Sequence, residues 1–395
     1  MPSRFRRRIR TAALVVAVWT LAAAIVAGAV PDLALPDDRA PRERTRVVGA
    51  VHMHTVASDG SGSVDDLVDA AIGNELDFIV VSDHNSQLPT RYEYRRGVLV
   101  ILAEEYSSPR GHMLLLGMDS VRLGEPDSLD LWAQQTAHRF TEEAQLTFVS
   151  HPSGKRPWRD RTLSTVDGIE IWNADSEWRN DGVVDWLEAL TLLPFRPELG
   201  MLALVDRPAE NLALLDSVLP QRASRATCAV DAHARIPITR DVLIPFPSYG
   251  LTLALIHQHL SLAEPFTGDA EADAKRVFEA LARGSGHCSI GVLGDARSVR
   301  IDVEADASAR SREVRVDLPA ATRDARIRVY LGGVAAHEEV TNQLRWATRE
   351  AGPLRVEIDR NVRLVRRRWL PWVVTGSLGD ARMDETPKPE SPGEP

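Results

Sequence analysis

The sequence has 395 residues, of which 44% are hydrophobic and 26% are charged, and its formal net charge is −9. This length suffices for one large domain and a smaller one, and the composition excludes a largely disordered chain. The excess of acidic residues argues against general nucleic-acid binding, which requires a basic surface.

The N-terminus joins a basic start to an apolar run. Arginines stand at positions 4, 6, 7, 8 and 10, and residues 11–30 carry no charge. We interpret residues 1–30 as a signal peptide or an N-terminal membrane anchor, since small residues at 27–29 fit cleavage and twenty apolar residues fit a span. Both interpretations predict export, with the protein periplasmic or anchored outside the cytoplasm. Residues 31–45, rich in proline and charge, are expected to form a linker.

Residues 47–60 predict a strand followed by a polar turn. His52 and His54 close an apolar run, and Asp59 follows in a Ser-Asp-Gly turn. Because residues i and i+2 of a strand lie on one face, both imidazoles are expected to point the same way. This pattern is typical of half a metal site.

A helix and a second strand follow. Ser63 is expected to cap a helix over residues 64–73, in the manner of a capping box. The strand at 78–81 then leads to Asp83 and His84. The segment therefore predicts a βαβ unit with candidate ligands at the carboxyl edge of its strands.

Later apolar runs place polar side chains in the same way. His112 opens the run at 111–117. The other runs end in Glu104 and Glu105, in His151, in Asn173, and in Asp231 and His233.

The sequence motifs in these segments are similar to those of a known family. H-x-H-T-x-x-S-D-G at residues 52–60 and S-D-H-N at 82–85 resemble the opening motifs of the polymerase and histidinol phosphatase (PHP) superfamily of metal-dependent hydrolases. The family motif small-x-Glu-x-Ser indicates Glu105 rather than Glu104, and its closing Asp-x-His matches residues 231–233. The resemblance implies a distorted (β/α)7 barrel over residues 46–287, with the ligands at the carboxyl ends of strands.

The resemblance also implies a set of nine metal ligands. These are His52, His54, Asp59, His84, Glu105, His112, His151, Asp231 and His233. A first ion would be held by His52, His54, Glu105 and Asp231, a second by Glu105, His112 and His151, and a third by Asp59, His84 and His233. Nine nitrogen and oxygen ligands suit two or three divalent ions, such as zinc, manganese or iron, better than one.

The last third of the sequence changes to a period of two. Alternating apolar residues at 299–303, 314–318, 327–331 and 354–358 predict a small antiparallel β-sandwich over residues 288–375. Residues 376–395 are expected to form a disordered tail. Cys228 and Cys288 could pair in an oxidising compartment, but we expect them to be unpaired core residues.

The sequence thus predicts an exported metal-dependent hydrolase of a small-molecule phosphoester, acting through a metal-bridged hydroxide held by His52, His54, Glu105 and Asp231. The substrate contacts would come from Lys155, Arg156, Arg159 and Asn173, although the basic cluster could also be a solvated loop. Two alternatives stay open. One is a hydrolase of a neutral ester, amide or carbamate, since Glu-Ile-Trp-Asn at 170–173 resembles an exported, carbaryl-hydrolase-like branch. The other is a non-catalytic, metal-stabilised binding module at the cell surface.

Overall fold

The structure, a computed structural model, describes most of the chain. The described residues are 3–33, 35, 43–85, 91–108, 111–117, 146–154, 157–158, 166–177, 182–218, 225–239, 242–306, 308, 310–322 and 324–378. Three of the predicted substrate contacts, Lys155, Arg156 and Arg159, lie outside the described residues. Residues 379–395 of the predicted tail also lie outside them.

Eight α-helices are present in the described part of the chain. They are α1 Ser3–Ala29, α2 Val64–Gly73, α3 Ala174–Glu177, α4 Val183–Leu192, α5 Pro197–Leu202, α6 Ala209–Val218, α7 Tyr249–Leu253 and α8 Ala270–Ala282. The predicted helix at 64–73 is confirmed, and Ser63 and Asp66 form its capping box.

The strands of the N-terminal two thirds are β1 Arg46–Met53, β2 Phe78–Val81, β3 Arg91–Arg95, β4 Val98–Leu102, β5 Glu104–Ser108, β6 Gly111–Leu116, β7 Leu146–Val149, β8 Gly168–Asn173, β9 Arg225–Ala232, β10 Ile236–Pro237, β11 Leu243–Ile244, β12 Ile256–Ser261 and β13 Gly286–Ile290. Those of the last third are β14 Arg300–Asp306, β15 Ser311–Asp317, β16 Ala325–Leu331, β17 Val334–Val340, β18 Gln343–Thr348, β19 Leu354–Arg363 and β20 Arg367–Thr375.

The sheet topology gathers the strand ends that the sequence marks as polar. β1 lies inside a 15-stranded sheet and pairs in parallel with β2 and β9. β8 pairs in parallel with both β9 and β7, so the carboxyl ends of these strands meet at one edge. β6 runs antiparallel to β7, and the residues at its beginning therefore lie at that same edge.

The sheet turns sharply between β4 and β5. Only Ala103 separates these two strands, yet β4 pairs with β2 whereas β5 pairs with β6. Among the described residues, hydrogen bonds between strands do not form a closed ring. The fold is therefore a mixed α/β structure built on a large sheet with parallel and antiparallel pairs.

The strands of the last third belong to two sheets. β14, β15 and β18 form a separate three-stranded antiparallel sheet, and the buried side chains of Val314 and Val316 show the predicted alternation. β16, β17, β19 and β20 instead extend the large sheet, because β20 pairs with β13. A second small antiparallel sheet is thus present.

Within the large sheet, strand β2 is covered on both faces. Ile79 and Val81 of β2 share a hydrophobic cluster with α2, whereas Phe78 and Val80 share another with α8. Because neither face of β2 is left to solvent, this strand is continuously apolar, and the polar residues Asp83 and His84 follow its end.

The two cysteines form a disulfide, so the expectation of unpaired core residues was wrong. Cys228 of β9 and Cys288 of β13 are 60 positions apart in sequence, and their Cα atoms lie 5.7 Å apart. The curvature of the sheet, which the sequence does not reveal, brings the two strands together.

The N-terminal helix is apolar along most of its length. Its segment Arg8–Ala29 is long and apolar enough to cross a membrane, and it is the single helix of this kind in the described residues. A signal sequence or a buried helix meets the same criterion, so the prediction of a signal peptide or anchor stays a prediction.

Candidate metal centre

All nine predicted ligands come together at the polar edge of the sheet. Each places a nitrogen or oxygen atom within 3.3 Å of another member of the set. The sheet topology explains this, since the residues follow the carboxyl ends of parallel strands or open an antiparallel one.

A first group has the spacing of a tetrahedral site. Nε2 of His52 and Nε2 of His54 lie 3.1 Å apart, and both lie 3.1–3.3 Å from Oε2 of Glu105. Oδ1 of Asp231 lies 3.5 and 3.3 Å from the same two nitrogens. Four atoms bound at about 2.0–2.1 Å to a tetrahedral ion are roughly 3.3–3.4 Å from one another. The ligand atoms of His52, His54 and Asp231 have about this spacing and could hold one ion, and Oε2 of Glu105 adjoins the same two histidines.

Glu105 also faces a second group through its other oxygen. Its Oε1 lies 3.0 Å from Nδ1 of His112 and 3.1 Å from Nε2 of His151. The neighbouring Glu104 alternates to the other side of β5, so the structure places Glu105 among the histidines. One carboxylate is thus shared by two groups, which is the arrangement of a bridging ligand.

A third group is more open to solvent. Oδ1 of Asp59 lies 3.2 Å from Nε2 of His233 and 3.9 Å from Nε2 of His84, and the Asp59 side chain is 44% exposed. The turn that carries Asp59 is tight, because a Cβ atom at Gly60 would stand 2.2 Å from the carbonyl oxygen of His54. His84 also adjoins the first group, since its Nδ1 lies 3.1 Å from Oε2 of Glu105.

The backbone departs from regular strand geometry at three of these residues. His52, His151 and Asp231 have φ values of 71°, 33° and 47°, in the left-handed region that side chains with a Cβ atom rarely adopt. The β1–β9 register shifts between Val51 and Met53. We predicted that regular alternation along β1 would direct the imidazoles of His52 and His54 to the same side. The structure shows that the irregular backbone also determines their direction. Such strained positions occur preferentially at functional sites.

Glu170 was not predicted, yet it contacts two of the candidate ligands. It is fully buried in β8, its Oε1 lies 2.6 Å from Nδ1 of His52, and its Oε2 accepts from the backbone N–H of His151 at 2.8 Å. A carboxylate on the far nitrogen of a histidine fixes the ring so that the other nitrogen presents its lone pair to an ion. The available signal was an acidic residue inside an otherwise apolar strand, which requires a buried partner.

Two more buried side chains hold the edge in place. Asn173 donates from Nδ2 to Oδ2 of Asp231 at 3.0 Å and to Oε2 of Glu170 at 3.2 Å. Asp83 accepts from Thr55 and Ser58, and this fixes the turn after β1. Asn173, predicted as a substrate contact, thus uses its amide N–H groups on a candidate ligand and on the residue that supports it.

The charges of the centre stabilise one another. Burial disfavours the charged form of His52, but Glu170, Glu105 and Asp231 outweigh it and raise the pKa of the imidazole well above its usual value. Burial is likewise outweighed at Glu105, where His52 and other histidines hold the pKa of the carboxyl well below its usual range. In the third group, burial by itself would raise the pKa of Asp59, but pairing with His233 outweighs it and lowers the pKa to about 2.

These features agree with a cation-binding role. Oδ1 of Asp231 is buried and has no hydrogen bond, although imidazole nitrogens of His52, His54 and His233 lie 3.3–3.5 Å from it. The donor set is nitrogen and carboxylate oxygen throughout, which suits zinc, manganese or iron. Several groups of His, Asp and Glu could therefore hold divalent ions, and binding would release the protons that the imidazoles share with the carboxylates.

Comparison with known proteins gives matches among solved structures. No protein-family profile matches the sequence, and no curated protein does. A two-domain protein from Bacteroides vulgatus containing a predicted PHP-like metal-dependent phosphoesterase is 13% identical, with coverage of 84% of this chain and 95% of that chain and a TM-score of 0.40.

Two further structures match a smaller part of the chain. A protein from Bifidobacterium adolescentis, provisionally assigned as a metal-dependent phosphoesterase, is 13% identical, with 59% and 95% coverage and a TM-score of 0.28. An amidohydrolase from Chromobacterium violaceum is 14% identical, with 47% and 87% coverage and a TM-score of 0.26. The description of the Bacteroides protein names the PHP type that the sequence motifs of this chain resemble, and none of the three descriptions names the carbaryl-hydrolase-like branch.

Proposed function

We propose that this protein is a metal-dependent hydrolase of the PHP superfamily, and that the nine residues of the candidate centre hold two or three divalent ions. The observation that carries the proposal is the first group, in which the ligand atoms of His52, His54 and Asp231 lie 3.1–3.5 Å from one another. Oε2 of Glu105 lies 3.1 and 3.3 Å from the same two histidine nitrogens. The spacing of His52, His54 and Asp231 is that of ligands around one ion, and the sequence motifs mark these three residues and Glu105.

We divide the ligands as the motifs imply. His52, His54, Glu105 and Asp231 would hold the first ion, and Glu105 would be shared with a second ion held by His112 and His151. Asp59, His84 and His233 would hold the third. The contact of Glu105 Oε1 with both His112 and His151 supports the bridge, because its Oε2 faces the first group at the same time.

Divalent ions in these positions would supply Lewis acidity, lowering the pKa of water and drawing charge from the oxygens of a substrate. The protein supplies the orientation. Glu170 holds the Nδ1 side of His52, so that Nε2 faces inward. Asn173 holds one oxygen of Asp231 and leaves the other directed at the two histidines. Burial of the first group keeps bulk water from competing with substrate.

The proposed substrate is a phosphoester, as the resemblance of the motifs implies. The basic residues Lys155, Arg156 and Arg159 would bind its phosphate oxygens, since they follow His151 in sequence and an arginine can make two parallel charge-assisted bonds. This part of the proposal rests on sequence alone.

We further propose that the first two thirds of the chain is a distorted seven-stranded barrel. The path β1, β2, β4, β5, β6, β7, β8 and β9 returns to β1 by hydrogen-bonded pairing, except at Ala103, where the chain itself joins β4 to β5. If β4 and β5 count as one bent strand, seven strands surround the core. The catalytic domain would then cover residues 46–287 and the β-domain residues 288–375.

The test is a hydrolysis panel on purified full-length protein whose metal content is measured. We expect two or three equivalents of transition metal and turnover of at least one phosphomonoester, phosphodiester or nucleotide. Turnover of aryl carbamates without any phosphoester would replace the proposal with the neutral-substrate alternative. One equivalent or fewer, with no turnover, would favour a binding module.

A further inference from the structure

The helix α4 exposes an unusual amount of apolar surface. Val183, Val184, Leu187 and Leu190 are 76%, 54%, 61% and 48% exposed, and Phe195, just beyond the helix, is 41% exposed. Positions 183, 187 and 190 recur at helical spacing, so they form one outer stripe. Soluble surfaces rarely present an apolar patch of this kind unless it is a site of interaction. We call Val183, Val184, Leu187, Leu190 and Phe195 the α4 patch.

The charges of α4 are turned away from that patch. Its two acidic residues are Asp185 and Glu188, and Glu188 is buried. Arg366 donates to Asp185 at 2.7 Å and to Glu188 at 3.0 Å, and Arg368 donates to Asp185 at 3.2 Å. Both carboxylates are therefore neutralised against the body of the protein, and the outer face of the helix carries no charge from α4.

The N-terminal helix packs beside the α4 patch. α1 contacts α4, with Ala23 and Ala27 buried at a spacing of four residues. Val30 and Leu33 are then buried in the main core. Arg196 Nη1 approaches the carbonyl oxygen of Val30 at 3.5 Å, and the buried Arg360 donates to that of Leu33 at 3.0 Å. The end of α1 and the residues up to Leu33 are thus held against the body of the protein.

Helix length determines where this contact lies. The charge-free residues 11–30 would span roughly 30 Å at 1.5 Å per residue, which is about the thickness of the hydrocarbon core of a bilayer. The burial of α1 begins at Ala23, so the buried part occupies about the last 10 Å of that length. A membrane-spanning α1 must therefore bring α4 to the bilayer surface.

From these contacts we infer that α1 is retained as a membrane anchor and that the α4 patch is seated in the outer part of the lipid bilayer. The bilayer is the occupant because the patch adjoins the one apolar helix that must itself be covered, and because its acidic neighbours are paired inward. Arginines before the span are placed on the cytoplasmic side by the positive-inside rule, which leaves the candidate metal centre outside the cytoplasm. This inference is independent of the proposed hydrolase activity.

A single introduced cysteine can report the environment of the patch, since Cys228 and Cys288 are joined to each other. Leu187→Cys is the test variant, and Val334→Cys, at a 70% exposed apolar position of β17, is the matched control. Each full-length variant is labelled with a nitroxide and reconstituted into phosphatidylcholine vesicles with a minority of phosphatidylglycerol. Accessibility to oxygen, which concentrates in lipid, is compared with accessibility to a water-soluble nickel complex.

We expect the label at position 187 to favour oxygen over nickel at least severalfold, and the label at position 334 to show the reverse. Equal nickel accessibility at both positions would overturn the bilayer contact. Low accessibility to both reagents at position 187 would also overturn it and would indicate burial against a second copy of the chain. Intact mass of the protein extracted from membranes should include residues 11–29, and a mass that begins after Ala29 would overturn the anchor.

Discussion

The carboxylate of Glu170 lies 2.6 Å from Nδ1 of His52, so a buried residue of β8 orients a candidate ligand of β1. Its second oxygen reaches the backbone of His151, a candidate ligand of another group. Two parts of the centre therefore depend on one side chain that is not itself among the nine candidate ligands.

We expect Glu170→Gln to weaken metal binding by about 10- to 100-fold, because the amide no longer stabilises the inward-facing form of the His52 ring. Competition with a chromophoric chelator measures the affinity. Glu338→Gln, at an exposed position of β17, is the control and should bind metal as the wild type does. An unchanged affinity in Glu170→Gln would mean that His52 is oriented by other contacts.

Asp231→Asn should reduce turnover at least tenfold and leave the fold intact. The substitution preserves volume but removes the negative charge that lies 3.3 Å from Nε2 of His54. Steady-state kinetics with the best substrate of the panel gives the loss, and circular dichroism checks the fold. Asp295→Asn, whose side chain is 60% exposed, supplies a neutral comparison. Activity above about a tenth of wild type would remove Asp231 from the proposed ligands.

Replacing both cysteines by serine should lower the free energy of unfolding by about 2–4 kcal/mol, as expected for a cross-link between residues 60 positions apart. Urea unfolding of the full-length protein in detergent, with and without reductant, measures the change. Reductant should destabilise the wild type and leave the double variant unaffected. Equal free energies of unfolding for the wild type and the double variant without reductant would show that the disulfide does not stabilise the protein.

His287 should make the protein sensitive to acid. Burial, aided by Arg46, lowers the pKa of its imidazole to about 3, and the ring stacks on His259. Since the unfolded residue titrates near its usual pKa, the unfolded state binds more protons between about pH 6.5 and pH 3. The contribution of His287 to stability is thus complete above about pH 6.5 and is lost as the pH falls through this window.

The measurement is urea unfolding at a series of pH values between 7.5 and about 4. Relative to wild type, His287→Gln should reduce the slope of stability against pH by up to about 1.4 kcal/mol per pH unit. His337→Gln, at a more exposed ring, should leave the slope nearly unchanged. If His287→Gln keeps the wild-type slope, the imidazole is protonated in the folded protein.

Much of the centre could be predicted because its residues are local in sequence to strand ends. His52, His84 and His151 each follow an apolar run, and parallel pairing alone brings such ends together. Glu170 escaped prediction since its importance arises from a contact across 118 positions. The disulfide was not predicted for the same reason, since its cysteines are 60 positions apart. The extension of the large sheet by β16 and β19 was not predicted because alternation reveals a strand but not the strands that pair with it.

The left-handed backbone at His52, His151 and Asp231 affects how a substitution at these positions would change the stability of the protein. Residues with a Cβ atom in that region cost on the order of 1 kcal/mol each, whereas glycine adopts it freely. A glycine at His52 would relieve this backbone cost, but it would leave the buried carboxylates of Glu170 and Glu105 without that imidazole as a partner. The strained backbone at these three positions is therefore held in place by the contacts that the side chains make inside the centre.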